Sequence, residues 1–245
     1  MRRMIRLQAL GPAFGMLILA SACAPSNEAG SDATTPAPAP ERAVAQSLAM
    51  GGAKSVMTFF VTSRGTRQGR RSGGLAGADA HCQALAKAER AGDHTWRAHL
   101  STSALDGQSA VNARDRIGNG PWYNAEELLI AANVDELHSD RSRMSKETAV
   151  TERLDPVSGV DDTPNVHVIL TGSRPDDTAF PVIEDLTCRN WTSDGEGRAQ
   201  VGHHDRRGRA EGVNSWNSVH ASQGCSQEQL RPRAARACYI ASGSI

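Results

Sequence analysis

Four cysteines, Cys82, Cys188, Cys225 and Cys238, constrain this chain more than any other feature. No two of them have the Cys-x-x-Cys spacing of a metal knuckle. In an oxidising compartment an even number of cysteines reads as a disulfide framework, and four of them permit three pairings among which spacing does not choose. Cross-linking matters here because aromatic residues make up only 4% of the chain, so the large rings that usually dominate a core are scarce.

The N-terminus supplies the compartment. Arg2, Arg3 and Arg6 form a positive start, and residues 7–22 are apolar apart from Gln8, the pattern of an export signal. Leu19-Ala20-Ser21-Ala22-Cys23 resembles a bacterial lipobox, in which small residues admit the signal peptidase and the Cys23 thiol receives a diacylglycerol. An ordinary secretory signal with an incidental cysteine is the alternative. Ala24, where an Asp would retain a lipoprotein at the inner membrane, directs the expectation to the outer membrane. Residues 24–54 are rich in Ala, Pro, Ser, Thr and Glu, including Thr35-Pro36-Ala37-Pro38-Ala39-Pro40. Such a stretch buries too little apolar surface to offset its ordering entropy and reads as a tether. The expected organisation is therefore a signal at 1–22, lipidated Cys23 and tether to 54, and one domain over 55–245.

Charge narrows the partners. Lys+Arg and Asp+Glu both number 27, which argues against nucleic acid. Without residues 1–22 the chain keeps 24 basic against 27 acidic residues, so lipid rather than charge would hold it at a membrane. No apolar run beyond residue 22 reaches the roughly 18 residues that cross a bilayer, and the rest is expected to be soluble.

Along the domain, residues 56–61 (Val-Met-Thr-Phe-Phe-Val) predict a strand, with a Gly- and Arg-rich loop over 62–74. Ala78, Cys82, Leu85 and Ala86 recur at helical spacing, with Asp79 in the expected first turn and Gly92 as the expected stop. Trp96, Ala98 and Leu100 alternate with Arg97, His99 and Ser101, which predicts a half-buried strand with His99 outward. A short helix is expected over 110–116, a hairpin from Trp122-Tyr123 to residues 128–131, and a helical turn over 134–138 capped by Asn133. Residues 139–165 lack a period and read as a long surface loop. Further strands are expected over 166–171 and around Trp191, Val201, Trp216 and residues 237–240. The order is an α+β pattern.

Gly73-Gly74-Leu75-Ala76-Gly77-Ala78-Asp79-Ala80-His81-Cys82, followed by Arg97-Ala98-His99-Leu100-Ser101, resembles the start of endostatin, the C-terminal domain of certain collagens. Thr171-Gly172-Ser173-Arg174-Pro175-Asp176 and Cys188-Arg189-Asn190-Trp191 look like its Gly-Ser-x-Pro segment and its Cys-x-x-Trp, and the likeness extends over about residues 56–242. The chain also looks like bacterial exported proteins of the same domain that are called lectins by similarity. The resemblance implies an endostatin-like variant of the C-type lectin fold with nested disulfides Cys82–Cys238 and Cys188–Cys225. Endostatin's N-terminal histidine zinc site does not carry over, since no His precedes His81.

Calcium-dependent C-type lectins use a Glu/Gln-Pro-Asn/Asp loop and a Trp-Asn-Asp strand, because Ca²⁺ takes six to eight oxygen ligands. Here Arg174-Pro175-Asp176-Asp177 and Trp216-Asn217-Ser218 stand in their place, with Arg174 and Ser218 substituting for oxygen ligands. Asp176, Asp177 and Asn217 are the candidate calcium ligands, with Glu184 and Asp185 nearby and Trp216 a candidate sugar contact. Residues 126–185 carry fourteen acids against five bases and residues 198–238 seven bases against three acids. Arg70 and Arg71 in the first loop, with Arg206, Arg207, Arg209, Arg231, Arg233 and Arg236, form a candidate surface for an anionic glycan, since Arg forks suit sulfate and carboxylate. His203-His204-Asp205 offers metal-type donors, although neighbours on a strand face opposite ways. No Gly-x-Ser-x-Gly elbow, phosphate loop or His-Glu-x-x-His occurs. The expectation is a non-enzymatic, outer-membrane-tethered domain that binds carbohydrate, or alternatively an envelope component that binds protein.

Overall fold

The computed structural model describes residues 56–65, 73–207, 215–230 and 234–240. The expected export signal, Cys23 and the expected tether lie outside the described residues, which belong to one unit, Gly52–Ile245. β8 (Ala234–Ile240) organises the sheet. β1 (Phe59–Val61) and β2 (Trp96–Ala98) both run antiparallel to it, so that Cys238 stands opposite Phe60 on one edge and Ala98 on the other. The first half of β8 runs parallel to β5 (Val168–Leu170), with Val168 opposite Ala234. β6 (Gln200–His203) pairs antiparallel with β5, and β7 (His220–Ala221) completes the order β1-β8-β5-β6-β7. A separate hairpin joins β3 (Trp122–Tyr123) to β4 (Leu129–Ala131).

The strands are apolar on both faces because both faces are covered. Phe60, Val168 and Leu170 pack with Cys82, Leu85, Trp96, Leu100 and Trp191 on one side. Phe59, Val61 and Ile169 pack with Ile117, Trp122, Ile130, Leu137 and Trp216 on the other. Successive strand residues point to opposite faces, so Phe59-Phe60-Val61 feeds both clusters at once.

Helix α1 (Gly74–Ala88) buries Ala78, Cys82, Leu85 and Ala86, the stripe that the spacing predicts. Its termini differ from expectation. Asp79 lies beyond the first turn, where its carboxylate accepts the Ala98 N–H at 2.9 Å and, through its two oxygens, Arg116 Nη2 at 2.7 and 2.6 Å. Arg116 in turn donates to the Ala98 carbonyl at 2.5 Å, so helix and β2 are clamped through one bidentate pair. The helix stops before Gly92: Arg90, at φ 62°, takes the left-handed position after the cap, with Arg90 N–H on Lys87 O at 3.3 Å and Ala91 N–H on Ala86 O at 2.9 Å. These are the paired bonds of a Schellman stop. Gly92 is needed for close approach instead, since a Cβ there would lie 2.8 Å from Lys87 Cα.

Both disulfides form as nested bridges, Cys82–Cys238 at a Cα separation of 5.8 Å and Cys188–Cys225 at 5.7 Å. Closing loops separated by 156 and 37 residues removes about 5 and about 4 kcal/mol of unfolded-chain entropy, respectively. The molecule is mixed helix and sheet, an α+β arrangement with small, mainly antiparallel pairings.

Other elements depart from the sequence pattern. The expected helix at 110–116 is a single 3₁₀ turn, Ala113–Asp115, while α2 (Val134–Leu137) forms with the Asn133 side chain accepting the Glu136 N–H. The segment 139–165 is not a surface loop. Val61 N–H bonds to Val150 O at 3.0 Å, and Met144, Ala149, Val150 and Val157 are buried, so this stretch covers the second face of the sheet. Its backbone is satisfied by local turns and by the Thr148 and Thr151 hydroxyls rather than by a ladder, so no period marks it. Around Trp191 a helical turn, α3 (Cys188–Trp191), replaces the expected strand, and Trp216 sits in a bend ahead of β7. Among the described residues, no helix is long and apolar enough to cross a membrane.

An L-residue at φ 62° carries a strain of about 1 kcal/mol that glycine does not. Arg90→Gly is therefore expected to raise the urea midpoint by an equivalent of about 1 kcal/mol with an unchanged m-value; a lowered midpoint contradicts the capping assignment.

Candidate functional site

The expected ligand loop, Arg174 to Asp177, and the expected Trp216-Asn217 partner do meet, but around a buried acid. Asp177, at φ 66°, turns its side chain inward, where it is fully buried. Its Oδ2 lies 2.8 Å from His99 Nε2 and 3.4 Å from His138 Nε2. Trp216 packs against both imidazoles, with ring centroids 4.8 Å from His99 and 5.7 Å from His138, and its indole N–H donates to Leu137 O at 2.8 Å. Burial works to raise the Asp177 carboxyl, but the charges and hydrogen bonds of His99 and His138 outweigh it and hold the group well below its ordinary value. The outward-facing His99 predicted from alternation is thus corrected. The chain just after β2 is buried on both sides, and the imidazole is tolerated there because the carboxylate satisfies it.

Asn217 supports the same loop from below. Its amide N–H₂ donates to Arg174 O at 3.1 Å and reaches Asp177 Oδ1 at 3.4 Å, while its Oδ1 accepts from Ser215 Oγ at 2.7 Å. Of the candidate calcium ligands, Asp177 and Asn217 therefore converge, but Asp177 faces imidazoles and Asn217 presents N–H rather than oxygen. Asp176 lies apart, exposed, with Oδ1 accepting from the Thr178 hydroxyl at 2.7 Å and from its N–H at 3.1 Å. His99, His138 and Asp177 bring their ligand atoms within 4.8 Å of one another. Two nitrogens and one oxygen are donors for a zinc-class ion rather than for calcium.

A second, half-buried acid holds the far end of the loop. Asp185 accepts the Thr187 N–H at 2.9 Å, the Thr187 hydroxyl at 2.6 Å and the Arg189 N–H at 2.8 Å. It thereby fixes α3, a turn in which Cys188, Arg189, Asn190 and Trp191 all have positive φ, between 51° and 66°. Four L-residues in this region cost about 1–2 kcal/mol each. The turn persists because it is tied from several directions: the Cys188–Cys225 bond, Asn190 clasping the Ser103 backbone at 2.8 and 3.2 Å, and Trp191 Nε1 donating to Ser101 O at 2.8 Å. Between the two anchors the chain is exposed. Val182 and Ile183 are 71% and 96% accessible, and Arg174, Asp176 and Glu184 are exposed as well. An acid before Thr-x-x-Asn was the only sequence signal for this anchor.

Of the expected basic surface, the two arginines whose side chains are described are paired within the chain. Arg206 donates to Ser142 O at 3.0 Å and pairs with Asp140 at 3.2 Å, and Arg207 pairs with Asp161 at 3.0 Å. The opposed charge of the two segments thus serves to hold 139–162 against the 204–207 turn. Arg70, Arg71, Arg209, Arg231 and Arg233 lie outside the described residues, as does the Arg236 side chain. All four tryptophans are buried, so Trp216 is a core residue and not an exposed sugar platform.

The histidines of the sheet form a separate group. His203 Nδ1 lies 2.7 Å from Arg207 O, and its Nε2 lies 3.2 Å from His220 Nε2. His167 stacks on His203 at 3.9 Å between centroids, and His167 Nδ1 lies 3.3 Å from Asp205 Oδ1. Burial lowers the His203 pKa to about 4, so its imidazole is neutral at neutral pH. As the alternation of a strand requires, His204 points elsewhere, with Nε2 donating to Ser158 O at 3.2 Å. The group was missed in sequence because His167, just before β5, and His220, on β7, come from distant segments.

No protein-family model matches this chain, and a search of curated proteins finds no match.

Asp177→Asn keeps the shape and removes the charge that pairs with two buried imidazoles, so a loss of about 3–5 kcal/mol in urea unfolding at pH 7 is expected. The carboxyl titrates at 3.8 when unfolded and lower when folded, so its contribution is complete above that value and is lost as the pH falls below it. The variant is expected to lack that part of the acid-limb slope; equal slopes contradict the pairing.

Proposed function

We propose that this chain is an exported, lipid-tethered binding domain without enzymatic activity, built on an endostatin-like variant of the C-type lectin fold and recognising carbohydrate. The kinship is supported by the nested bonds Cys82–Cys238 and Cys188–Cys225 together with the pairing of β1 and β8, which places the two ends of the domain side by side.

The observation that carries the binding role is the loop between Asp177 and Asp185. Both ends are fixed by acids with multiple partners, while Val182 and Ile183 project into solvent. An exposed apolar tip on a rigid base is the arrangement of a recognition loop, since little ordering entropy is lost on contact. The aliphatic tip suits the C–H face of a pyranose, and the exposed Arg174 suits a carboxylate or sulfate substituent. Calcium enters this reading through the exposed carboxylates Asp176 and Glu184, because Asp177 is turned toward the histidines.

A glycan array with and without Ca²⁺ tests the reading. Binding is expected for the wild-type chain and a drop of tenfold or more for Ile183→Asp, whose side chain touches no core. A folded protein that binds nothing in either condition overturns it. The same two exposed aliphatic residues favour an envelope protein as the second reading. Capture from envelope extracts that is lost with Ile183→Asp, alongside a blank array, selects that alternative.

The tether belongs to the same proposal. Cys23→Ala is expected to move the protein from the membrane fraction to the soluble one; persistence in the membrane contradicts a lipid anchor.

A further inference from the structure

His203 and His220 stand on paired strands. In the antiparallel register of β6 and β7, His220 is opposite Val201, two residues from His203, so the two imidazoles are diagonal neighbours on one face. Each ring has one nitrogen against a backbone carbonyl: His203 Nδ1 lies 2.7 Å from Arg207 O, and His220 Nδ1 lies 2.9 Å from Ala221 O. A carbonyl only accepts, so both Nδ1 atoms carry hydrogen. In the neutral rings both Nε2 atoms then present lone pairs, and these face each other across 3.2 Å. Two lone pairs at that distance repel unless something positive lies between them.

We propose that His203 and His220 form a solvent-facing site for a zinc-class divalent cation, bound through both Nε2 atoms with water in the remaining positions. Metal–imidazole bonds of about 2.0–2.1 Å at a tetrahedral angle separate two ligand nitrogens by about 3.3 Å, close to the 3.2 Å here. Ligating histidines characteristically donate their other N–H to a carbonyl or carboxylate, and both rings do so. His167 is a positioning residue: it lies flat on His203 at 3.9 Å and is itself held by Asp205, whose Oδ1 also accepts the Arg207 N–H at 3.1 Å. The same carboxylate thus fixes the stacked ring and the peptide that orients His203. His203 is almost fully buried and His220 is exposed, so the site has a rigid wall and an open side from which an ion and its waters can arrive. Nitrogen donors without carboxylate in the first shell select Zn²⁺, Ni²⁺ or Cu²⁺ over Ca²⁺. The site is independent of the recognition loop and of what that loop binds.

The competing way to fill the gap is a shared proton, and titration calorimetry separates the two. The mature chain, stripped with EDTA at pH 7.5, is titrated with ZnCl₂. One Zn²⁺ per chain is expected from this pair, with affinity at least tenfold weaker in His220→Gln, which alters an exposed side chain and leaves the fold intact. His167→Ala is expected to weaken binding tenfold while keeping the stoichiometry. His138→Gln, in the buried Asp177 cluster, is expected to leave the affinity unchanged, and a loss there assigns the ion to that cluster and overturns the proposal. Zn²⁺ binding that is absent, or that His220→Gln leaves untouched, overturns it as well. Co²⁺ titrated in place of Zn²⁺ gives a readout of ligation itself: visible d–d bands in the wild type, reduced in His220→Gln, are expected.

Discussion

Everything in this domain depends on β8 having a neighbour on each edge. One seven-residue strand pairs with β1, β2 and β5, and the thiol at its centre is bonded to the helix that packs beneath β2. Three segments far apart in sequence thereby meet at one residue, Cys238. The cross-link matters because strands of two to four residues have little pairing energy of their own. The sheet is a set of short pieces made cooperative by a single long strand and a covalent bond.

The second theme is the use of buried and half-buried carboxylates to place the chain. Asp79 locks α1 to β2 through Arg116, Asp177 locks a loop to two imidazoles, and Asp205 accepts from Val160, Arg207 and His167. Each carboxylate satisfies several donors at once, which long connections without a ladder require. The loop conformations over 139–207 are therefore specified by polar contacts as much as by apolar packing. Removing one partner leaves an uncompensated charge in a dry setting rather than a missing contact on a surface.

How much of this was readable in sequence follows from which interactions are local. The stripe Ala78, Cys82, Leu85 and Ala86, the Trp122 hairpin and the Asn133 cap depend on neighbours a few residues away, and the chain forms them as its spacing predicts. The nested cysteine pairing came from the resemblance to endostatin, not from spacing. Residues 139–165 misled because Met144 and Val157 reach the core from turns, where no periodicity records burial. His99 misled because strand alternation assumes a wet face, whereas both sides of this sheet are covered. The Asp177 and His203 groups each combine residues from separate segments, 78 and 17 positions apart, which only the tertiary fold brings together.

The pairing of β1 with β8 also has a mechanical meaning. Residues upstream of Phe59 enter the sheet alongside the strand that ends the described chain, with Phe59 opposite Tyr239 and Val61 opposite Ala237. Strain transmitted through those residues meets this ladder first, at its Phe59–Tyr239 end. The next pair inward, Phe60 and Cys238, carries the sulfur bridge to α1. The point where the chain enters the sheet is thereby backed by a covalent bond one position inward.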